Sequence, residues 1–363
     1  MPATTADNLS DLYSDVMTCA KLVGLEYVAT EDGGLTRQRR GKSFSYLDGD
    51  KPVAESVKKR VTALVIPPAW ENVWICPSAN GHVLATGFDE KGRKQYIYHP
   101  KWRTMRDLIK FYRMIMFAKG LPRIRKAVET NLQLKKLSYE KVMAVMLWIL
   151  DNAYIRIGND TYFKANESVG LTTLTDRNVV IAGPVVTLAF KGKSGKDQQI
   201  TFENAAIARV LDQLRQVRGA RLFRYQDAAD DWHEITSDDI NTYLHELTEL
   251  QLSAKDFRTW GGTLMAFMHL VEENAIDGGK KTEKVVIEAI DQAAAVLGNT
   301  RTVARSSYVH PDILNAYGSK SFDKYYAVAT TGRKLPGLDR NESDLCYFLE
   351  QLFEEEFTLI KKS

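Results

Sequence analysis

The hydrophobic pattern of this chain changes character near Pro100, and that change limits the folds open to it. Before Pro100, short apolar runs at 61–66 and 83–86 alternate with turn residues. Asn80-Gly81 and Lys91-Gly92 are typical of hairpin turns, which favour asparagine and glycine because their backbone φ is positive. These features predict a small, mainly antiparallel β domain at the N-terminus, with a leading helix at 7–23.

After Pro100, apolar residues recur every three or four positions at 105–119 and 139–152, which is typical of helices. A β-hairpin is predicted at 179–190, a further strand at 198–202, and helices again beyond it. The predicted fold class is therefore α+β. A small β-rich domain is expected at residues 1–102, and a larger, mainly α-helical domain with a β-hairpin insert at residues 103–363.

Composition excludes several classes of protein. The 363 residues are 44% hydrophobic, but no run approaches the ~20 apolar residues of a membrane-spanning helix. The first ten residues lack the basic and apolar regions of a secretion signal. Cys19, Cys76 and Cys346 are far apart and form no CxxC pair, so we expect reduced thiols. These features predict a cytoplasmic protein without a membrane partner.

Five residues between positions 156 and 308 carry groups suited to phosphodiester chemistry: Arg156, Lys193, Arg258, Asn299 and Tyr308. A tyrosine oxygen can attack phosphorus, although its free pKa of about 10 requires a favourable electrostatic field. An arginine fork can hold two phosphate oxygens, and a lysine can protonate a leaving oxygen. Such an attack needs no metal, and the scattered histidines and acidic residues predict no metal site.

Two of these residues are predicted at the edges of regular elements. Lys193 lies on a glycine-rich tip between two strands. The same tip lacks the glycine spacing of a phosphate-binding P-loop, so we expect no ATP requirement. Ser253-x-x-Asp256 is a capping box, which predicts that Arg258 lies in the first turn of a helix.

The remaining pair lies further along the chain. Gly298 is predicted to end a helix, with Asn299 directly after it. A shorter helix from about residue 301 is predicted to carry Tyr308 before Pro311 stops it. His310 is expected to be structural.

The order and spacing of these residues resemble the type IB DNA topoisomerases, with the bacterial, poxvirus-like branch as the nearest match. The resemblance covers residues 65–317. Its most specific stretches are Tyr154-Ile-Arg156-Ile-Gly158-Asn159, Val169-Gly-Leu-Thr-Thr-Leu174, Lys255-Asp-Phe-Arg258-Thr-Trp260, and Leu297-Gly-Asn-Thr300 with Tyr308 nine residues after Asn299.

The resemblance implies a role for each of the five residues. Tyr308 would be the nucleophile, Arg156 and Arg258 the arginines that act on the scissile phosphate, and Lys193 the general acid. Asn299 stands where the poxvirus pattern has histidine, a residue that donates a hydrogen bond to a nonbridging oxygen. An asparagine amide can donate too. The alternative is that Asn299 merely follows a helix-ending glycine.

The resemblance also implies a set of DNA contacts. Tyr96 and Tyr98 alternate along one predicted strand and should share a face, beside Arg93 and Lys94. Packing of the two rings in the core is the alternative. The other implied contacts are Tyr162, Lys164, Lys196 and Lys255.

Charge is informative here through its distribution, because the net charge is only +3. Any single basic cluster is most often a solvated face, but several around the candidate site residues favour a DNA-facing surface. The clusters are Arg37, Arg39, Arg40 and Lys42; Lys58, Lys59 and Arg60; residues 101–126; Lys191, Lys193 and Lys196; Lys280, Lys281 and Lys284; and Arg301 and Arg305.

The predicted function is ATP-independent relaxation of supercoiled duplex DNA through a covalent 3′-phosphotyrosyl intermediate. No cofactor, no metal and no obligatory protein partner are expected, and a monomer should close around DNA as a clamp at the nucleoid. A site-specific tyrosine recombinase is the alternative enzyme. Recombinases carry His-x-x-Arg where this chain has Lys255-x-x-Arg258, and no histidine lies between His269 and His310. A non-catalytic DNA-binding protein is the third possibility.

Overall fold

A computed structural model describes residues 15–30, 33–41, 43–160, 163, 167–276, 283–319 and 321–362. The chain forms two compact units, Met1–Arg113 together with Phe353–Ser363, and Met114–Leu352. Strands and helices segregate along the chain as expected, so the predicted α+β class is confirmed. The division into domains at residues 102 and 103 stays a prediction.

The first unit contains a six-stranded sheet in the order β3-β2-β1-β4-β5-β6, and every pairing in it is antiparallel. This confirms the predicted N-terminal sheet, including the hairpin whose turn contains Gly92. The strands are β1 (Leu35–Arg40), β2 (Ser43–Asp48), β3 (Lys51–Pro52), β4 (Glu71–Ile75), β5 (Val83–Phe88) and β6 (Lys94–Tyr98).

The described part of the first unit also has two short helices, and one of them corrects a prediction. The apolar run at 61–66 is not a strand, because α2 (Glu55–Thr62) covers its start. Val57 and Val61 lie four residues apart and pack on one side of the sheet, which helical spacing permits. Val65 then has a φ of 50°, which is incompatible with an extended strand.

The leading helix is confirmed only in its described part, α1 (Val16–Leu22). Asp15 caps it, because its Oδ1 accepts hydrogen bonds of 3.0 Å from the backbone of Met17 and Thr18. Positions 7–14 of the predicted helix lie outside the described residues.

The second unit is mainly helical, as predicted. The helix expected at 105–119 is longer, since α3 extends over 32 residues. From α3 to the C-terminus the helices are α3 (Pro100–Asn131), α4 (Tyr139–Ala153), α5 (Ala205–Gln216), α6 (Ser237–Thr248), α7 (Ala254–Ile276), α8 (Glu283–Leu297), α9 (Arg301–Ser307), α10 (Pro311–Gly318), α11 (Phe322–Thr331) and α12 (Arg340–Lys362). Within the described part of the chain, no helix is long and apolar enough to cross a membrane.

A three-stranded antiparallel sheet interrupts the helices, which confirms the predicted β-hairpin insert. Its strands are β7 (Val179–Ala182), β8 (Val185–Lys191) and β9 (Asp197–Glu203). Gly183 takes a φ of 61° in the first turn. The second turn, between β8 and β9, carries Lys193 as predicted, and Lys193 begins a single 3₁₀ turn there. A small separate hairpin follows, formed by β10 (Arg224–Gln226) and β11 (Trp232–Glu234).

Candidate active site

A cavity of about 810 Å³ in the second unit brings together four of the five predicted catalytic residues. Its lining includes Arg156, Lys193, Arg258 and Tyr308, and also Lys255. The fifth residue, Asn299, accepts a hydrogen bond from Arg156 Nη2 through its Oδ1. Side chains far apart in sequence therefore meet in one concave, cationic site.

Arg156 is held in place by the backbone on either side of it. Helix α4 ends at Ala153, and the next residue, Tyr154, has a left-handed φ of 48° that turns the chain away. The carbonyl of Arg156 accepts a 2.8 Å hydrogen bond from Leu171 N. The backbone segments at Gly158 and Gly170 then cross in close contact. A Cβ on Gly170 would lie only 2.5 Å from the Gly158 backbone. Both glycines are needed for this crossing.

Arg258 is the most buried of the five, with 4% of its surface exposed. Its guanidinium donates to the carbonyl of Tyr154 and, at 3.0 Å, to the carbonyl of Leu297. The ends of α4 and α8 therefore fix its orientation. Burial lowers the pKa of Arg258, with Tyr308 opposing that shift, but a guanidinium still keeps its charge at neutral pH.

One half of the predicted capping box before Arg258 is confirmed, the half in which the Asp256 carboxylate accepts from Ser253. Asp256 Oδ2 accepts from the backbone N of Ser253 at 2.7 Å and from its hydroxyl at 2.9 Å. The prediction that Arg258 lies in the first turn is wrong by one position. Because α7 begins at Ala254, Arg258 is its fifth residue and opens the second turn.

Tyr308 lies directly after α9 rather than inside it, which corrects the predicted position. Pro311 also differs from expectation, because it is the first residue of α10. The hydroxyl of Thr263 on α7 donates to the Tyr308 carbonyl at 2.9 Å and accepts from His310 N at 3.1 Å. These bonds anchor the tyrosine backbone against α7.

The electrostatic field at Tyr308 favours its ionised form. The guanidinium carbon of Arg258 lies 4.8 Å from the centre of the Tyr308 ring. Burial raises the pKa of Tyr308. The charge of Arg258, a hydrogen bond from it, and the charges of Arg156 and Lys255 outweigh burial, so the pKa falls below its ordinary value. A phenol in this field is a better nucleophile than a free one.

Asn299 combines the two interpretations that the sequence left open. Gly298 N bonds to Ala295 O at 3.1 Å and Asn299 N to Ala294 O at 2.9 Å, which together form a Schellman motif. The predicted end of α8 at Gly298 is thus confirmed. The side-chain Nδ2 of Asn299 is buried and has no hydrogen-bond partner among the described residues. A role for this N–H as a donor to a bound oxyanion stays a prediction.

His310 is a structural residue in the fold. It is fully buried, and its Nδ1 accepts a 3.2 Å hydrogen bond from Asp312 N at the start of α10. Burial lowers the pKa of His310 to about 3, so the ring is neutral at pH 7.

The predicted DNA contacts are spread over both units. Tyr96 and Tyr98 share one face of β6, with ring centres 5.6 Å apart and planes within 4°. They are 43% and 36% exposed, so the alternative of core packing is wrong. Arg93 forms an ion pair with Asp89, and Lys94 Nζ donates to the hydroxyl of Thr30 at 3.2 Å. DNA contact by these residues stays a prediction.

The second unit carries the other predicted contacts. Lys255 is exposed at the start of α7, and Lys196 is exposed directly before β9. Tyr162 and Lys164 lie outside the described residues. Among the described residues of the same stretch of sequence, Arg221 bonds to Asp160 at 2.9 Å, and its guanidinium lies 4.3 Å from the centre of the Phe163 ring.

Sequence analysis did not identify the residues of α7 that pack against Tyr308. A Cβ on Gly262 would lie 3.3 Å from Tyr308 Cβ, and one on Gly261 would lie 2.3 Å from the ring of Tyr154. Two glycines inside a helix lower its stability, and that local conflict was a signal of close packing. Thr263 follows them and gave no comparable signal.

Two family models match this chain. The model described as "Eukaryotic DNA topoisomerase I, catalytic core" matches residues 99–335, and "Bacterial DNA topoisomerase IB, N-terminal domain" matches residues 43–89. The first match covers more than half of the chain and contains all five predicted catalytic residues.

Curated relatives agree with these models. A DNA topoisomerase 1B of Acanthamoeba polyphaga mimivirus is 31% identical over 293 residues, which is 78% of this chain and 87% of the relative. The DNA topoisomerase 1B of Vaccinia virus (strain Copenhagen) is 22% identical over 277 residues, 75% of this chain and 84% of the relative. A DNA topoisomerase 1 of Daucus carota is 27% identical over 233 residues, 61% of this chain and 27% of the relative.

An α+β chain with a tyrosine set among arginines and lysines, and with these matches, is a DNA-modifying enzyme of the isomerase class. The chain belongs to the type IB DNA topoisomerase family. This confirms the resemblance and favours topoisomerase over the recombinase alternative.

Proposed function

We propose that this protein relaxes supercoiled duplex DNA by cutting one strand, letting it rotate and resealing it, with Tyr308 as the nucleophile. The proposal is supported above all by the convergence of Tyr308 with Arg156, Lys193 and Arg258 around one cavity. The lowered pKa of Tyr308 agrees with a role in attack.

The cleavage step begins when the phenolic oxygen of Tyr308 attacks phosphorus. A bond forms between that oxygen and phosphorus, while the bond from phosphorus to the 5′-oxygen breaks. The phenol gives its proton to solvent, and the departing 5′-oxygen takes a proton from Lys193. The product is a 3′-phosphotyrosyl ester and a free 5′-hydroxyl.

The nonbridging oxygens gain charge as phosphorus becomes five-coordinate, and donors fixed in advance are worth most at that moment. Arg156 and Arg258 supply forked, permanently charged donors. Asn299 supplies an Nδ2–H that no described residue accepts. Arg258 is already oriented by the carbonyls of Tyr154 and Leu297, so it needs little reorganisation on binding DNA.

Resealing reverses the same steps. The 5′-hydroxyl attacks the phosphotyrosyl ester, Lys193 takes up its proton, and Tyr308 leaves. Because the ester conserves the energy of the phosphodiester bond, no ATP is consumed. Between the two steps the free 5′ end turns about the intact strand and removes supercoils.

We further propose that the protein acts as a monomer, without an obligatory protein partner, and that its N-terminal and catalytic domains close around the duplex. Tyr96, Tyr98, Arg93 and Lys94 would contact DNA from the N-terminal domain. Lys255 and Lys196 would contact it beside the active site. Action at the nucleoid, in the cytoplasm, follows from a DNA substrate and stays a prediction.

The test is relaxation of supercoiled plasmid in buffer containing EDTA. The wild type should relax the plasmid, and Tyr308→Phe should not, while Tyr347→Phe serves as the matched control. Tyr347 donates its hydroxyl to the Arg333 carbonyl at 3.1 Å, away from the cavity, so its variant should relax plasmid normally. Relaxation by Tyr308→Phe at the wild-type rate would reject the proposed nucleophile.

A further inference from the structure

Gln198 lies between the segments that carry Lys193 and Asn299. It is the second residue of β9 and pairs with Phe190 of β8. A Cβ built on Gly298 would lie 2.3 Å from Gln198 Oε1, and one built on Gly192 would lie 2.9 Å from Gln198 Cγ. The side chain therefore rests against two glycine backbones at once.

The first of these glycines belongs to the lysine turn. Gly192 directly precedes Lys193, and its backbone N donates to Lys196 O at 2.8 Å. Gly195 N closes the turn with a 3.1 Å bond to Gly192 O. Gln198 thus packs on the base of the turn, while Lys193 itself is exposed at the tip.

The second glycine belongs to the turn that precedes Asn299. Gly298 has a φ of 58°, and its lack of a Cβ leaves the space that the Gln198 carboxamide fills. The carboxamide is oriented by its own strand, because Nε2 donates to Asp197 O at 3.1 Å. Its oxygen is thereby directed at Gly298.

The lysine turn has further attachments near the site, and one of them is the hydroxyl of Ser168, which donates to Gly192 O at 3.5 Å. Val169 N donates to Lys191 O at 2.8 Å, and Leu171 N donates to Arg156 O at 2.8 Å, so the backbone connects this turn to the Arg156 segment. Gln198 provides the matching connection to the Asn299 segment. A second cavity, of about 250 Å³, is lined by Gln198 together with Arg156, Arg258, Gly192 and Gly298.

We propose that Gln198 is a positioning residue that holds the Lys193 turn against the Gly298–Asn299 turn. The acid Lys193 and the oxyanion donor Asn299 are then both placed to contact the same phosphate. This inference rests on the proposed function, in which Lys193 protonates the 5′-oxygen. Displacement of a catalytic group by about 1 Å can lower a rate about 10²-fold, so a lateral support of this kind is kinetically important.

The test compares single-turnover cleavage of two DNA substrates, one with an ordinary 5′-bridging oxygen and one with a 5′-bridging sulfur. A thiolate leaves without a proton, so the sulfur substrate does not depend on the acid. With Gln198→Ala, cleavage of the oxygen substrate should fall about 10- to 100-fold. Cleavage of the sulfur substrate should stay within about 3-fold of wild type, because the Asn299 turn is still held by its own hydrogen bonds to Ala294 O and Ala295 O and only the acid is misplaced.

Two controls make the test specific. Gln199→Ala changes the same residue type on the exposed, opposite face of β9 and should cleave both substrates normally. The double variant Lys193→Ala with Gln198→Ala should be no slower than Lys193→Ala alone, because Gln198 acts through the lysine. DNA affinity of each variant reports that the fold is intact.

If Gln198→Ala lost cleavage rate equally on both substrates, the inference would be overturned, because Gln198 would then support the fold in general and not the acid. An unimpaired Gln198→Ala would overturn it too. Failure of the wild type to cleave either substrate would reject the proposed function instead, so the two failures are distinguishable.

Discussion

At the scale of single residues, Asn299 differs most from what the family resemblance implies. Its position corresponds to a histidine in the poxvirus pattern. In this protein Oδ1 accepts from Arg156, and the buried Nδ2 has no hydrogen-bond partner among the described residues. A neutral imidazole also offers one acceptor and one donor. The geometry therefore suits either side chain, provided that a histidine is uncharged.

Substitution at this position should separate its two roles. Asn299→His should retain cleavage at pH 8, whereas Asn299→Ala should lose about 10²–10³-fold, the usual effect of removing one oxyanion donor. Cleavage by the histidine variant should fall as pH drops through about 6.5, because an imidazolium cannot accept from Arg156. The wild type should show no such ionisation from this position. Single-turnover cleavage rates between pH 5 and 9 test both the effect of the substitutions and the pH dependence. An alanine variant that cleaves as fast as wild type would show that Asn299 only ends its helix.

The buried His310 leads to a prediction about how the stability of the protein depends on pH, not about catalysis. Burial lowers its pKa to about 3, against about 6.5 for an unfolded histidine. A depressed pKa means that its contribution is fully present above pH 6.5 and is lost as pH falls toward 3. Between pH 7 and 5 the wild type should therefore lose about 2 kcal/mol of stability through this residue.

The matched variant is His310→Asn, because asparagine can still cap α10 but does not titrate. Its urea midpoint should change less between pH 7 and pH 5 than that of wild type. An identical change in both proteins would show that His310 does not carry the pH dependence.

At the scale of elements, the site depends on how closely α7 approaches the ends of other helices. Gly262 has Tyr308 Cβ on one side, and a Cβ there would also lie 2.9 Å from Leu297 Cδ1. Gly262→Ala should displace Tyr308 and lower the cleavage rate about 10- to 100-fold, while DNA affinity is retained. The opposing gain in helix propensity is only about 1 kcal/mol and acts on stability.

The control for this substitution is Gly318→Ala. Gly318 is also helical, at the end of α10, and a Cβ on it would have no atom within 4 Å. Its variant should cleave DNA at the wild-type rate. If Gly262→Ala were equally fast, close packing at Gly262 would not set the position of the tyrosine.

Local sequence signals predicted much of this architecture. Gly183 and Gly298 have positive φ values where turns were expected, and the Asp256 carboxylate accepts from Ser253 N, which is one half of the predicted capping box. The errors arose where tertiary contacts decide. Residues 61–66 have strand-like composition, but Val61 belongs to helix α2 and is buried against the sheet. Tyr308 lies one residue past its helix because Thr263, 45 positions earlier, bonds to its carbonyl.

The identity of the site residues was likewise predictable from local sequence signals, but their arrangement in space was not. Motif order indicated the five residues, but their convergence depends on long-range contacts such as that of Arg258 with Tyr154 and Leu297. No periodicity contains that information. Gln198 illustrates the limit, because nothing in its own neighbourhood marks it, and only the fold places it against Gly298.

At the scale of the whole molecule, DNA affinity should depend steeply on salt, because binding releases counterions from each neutralised phosphate. Replacing Arg93 and Lys94 with glutamine should make the log–log slope shallower by up to about 2 if both touch phosphates. Arg333 and Lys334, an exposed basic pair outside the predicted contacts, provide the control double variant. An unchanged slope for Arg93 and Lys94 would place β6 away from the DNA.

The central claim is that Tyr308 becomes joined to the 3′ end of a cleaved strand. A duplex whose cut strand releases a short 5′-hydroxyl fragment would trap this ester by preventing resealing. Proteolysis and mass spectrometry should then find the nucleotide on the peptide that contains Tyr308, and the released fragment should carry a 5′-hydroxyl. A nucleotide on another residue, or a tyrosyl link to a 5′-phosphate, would contradict the claim.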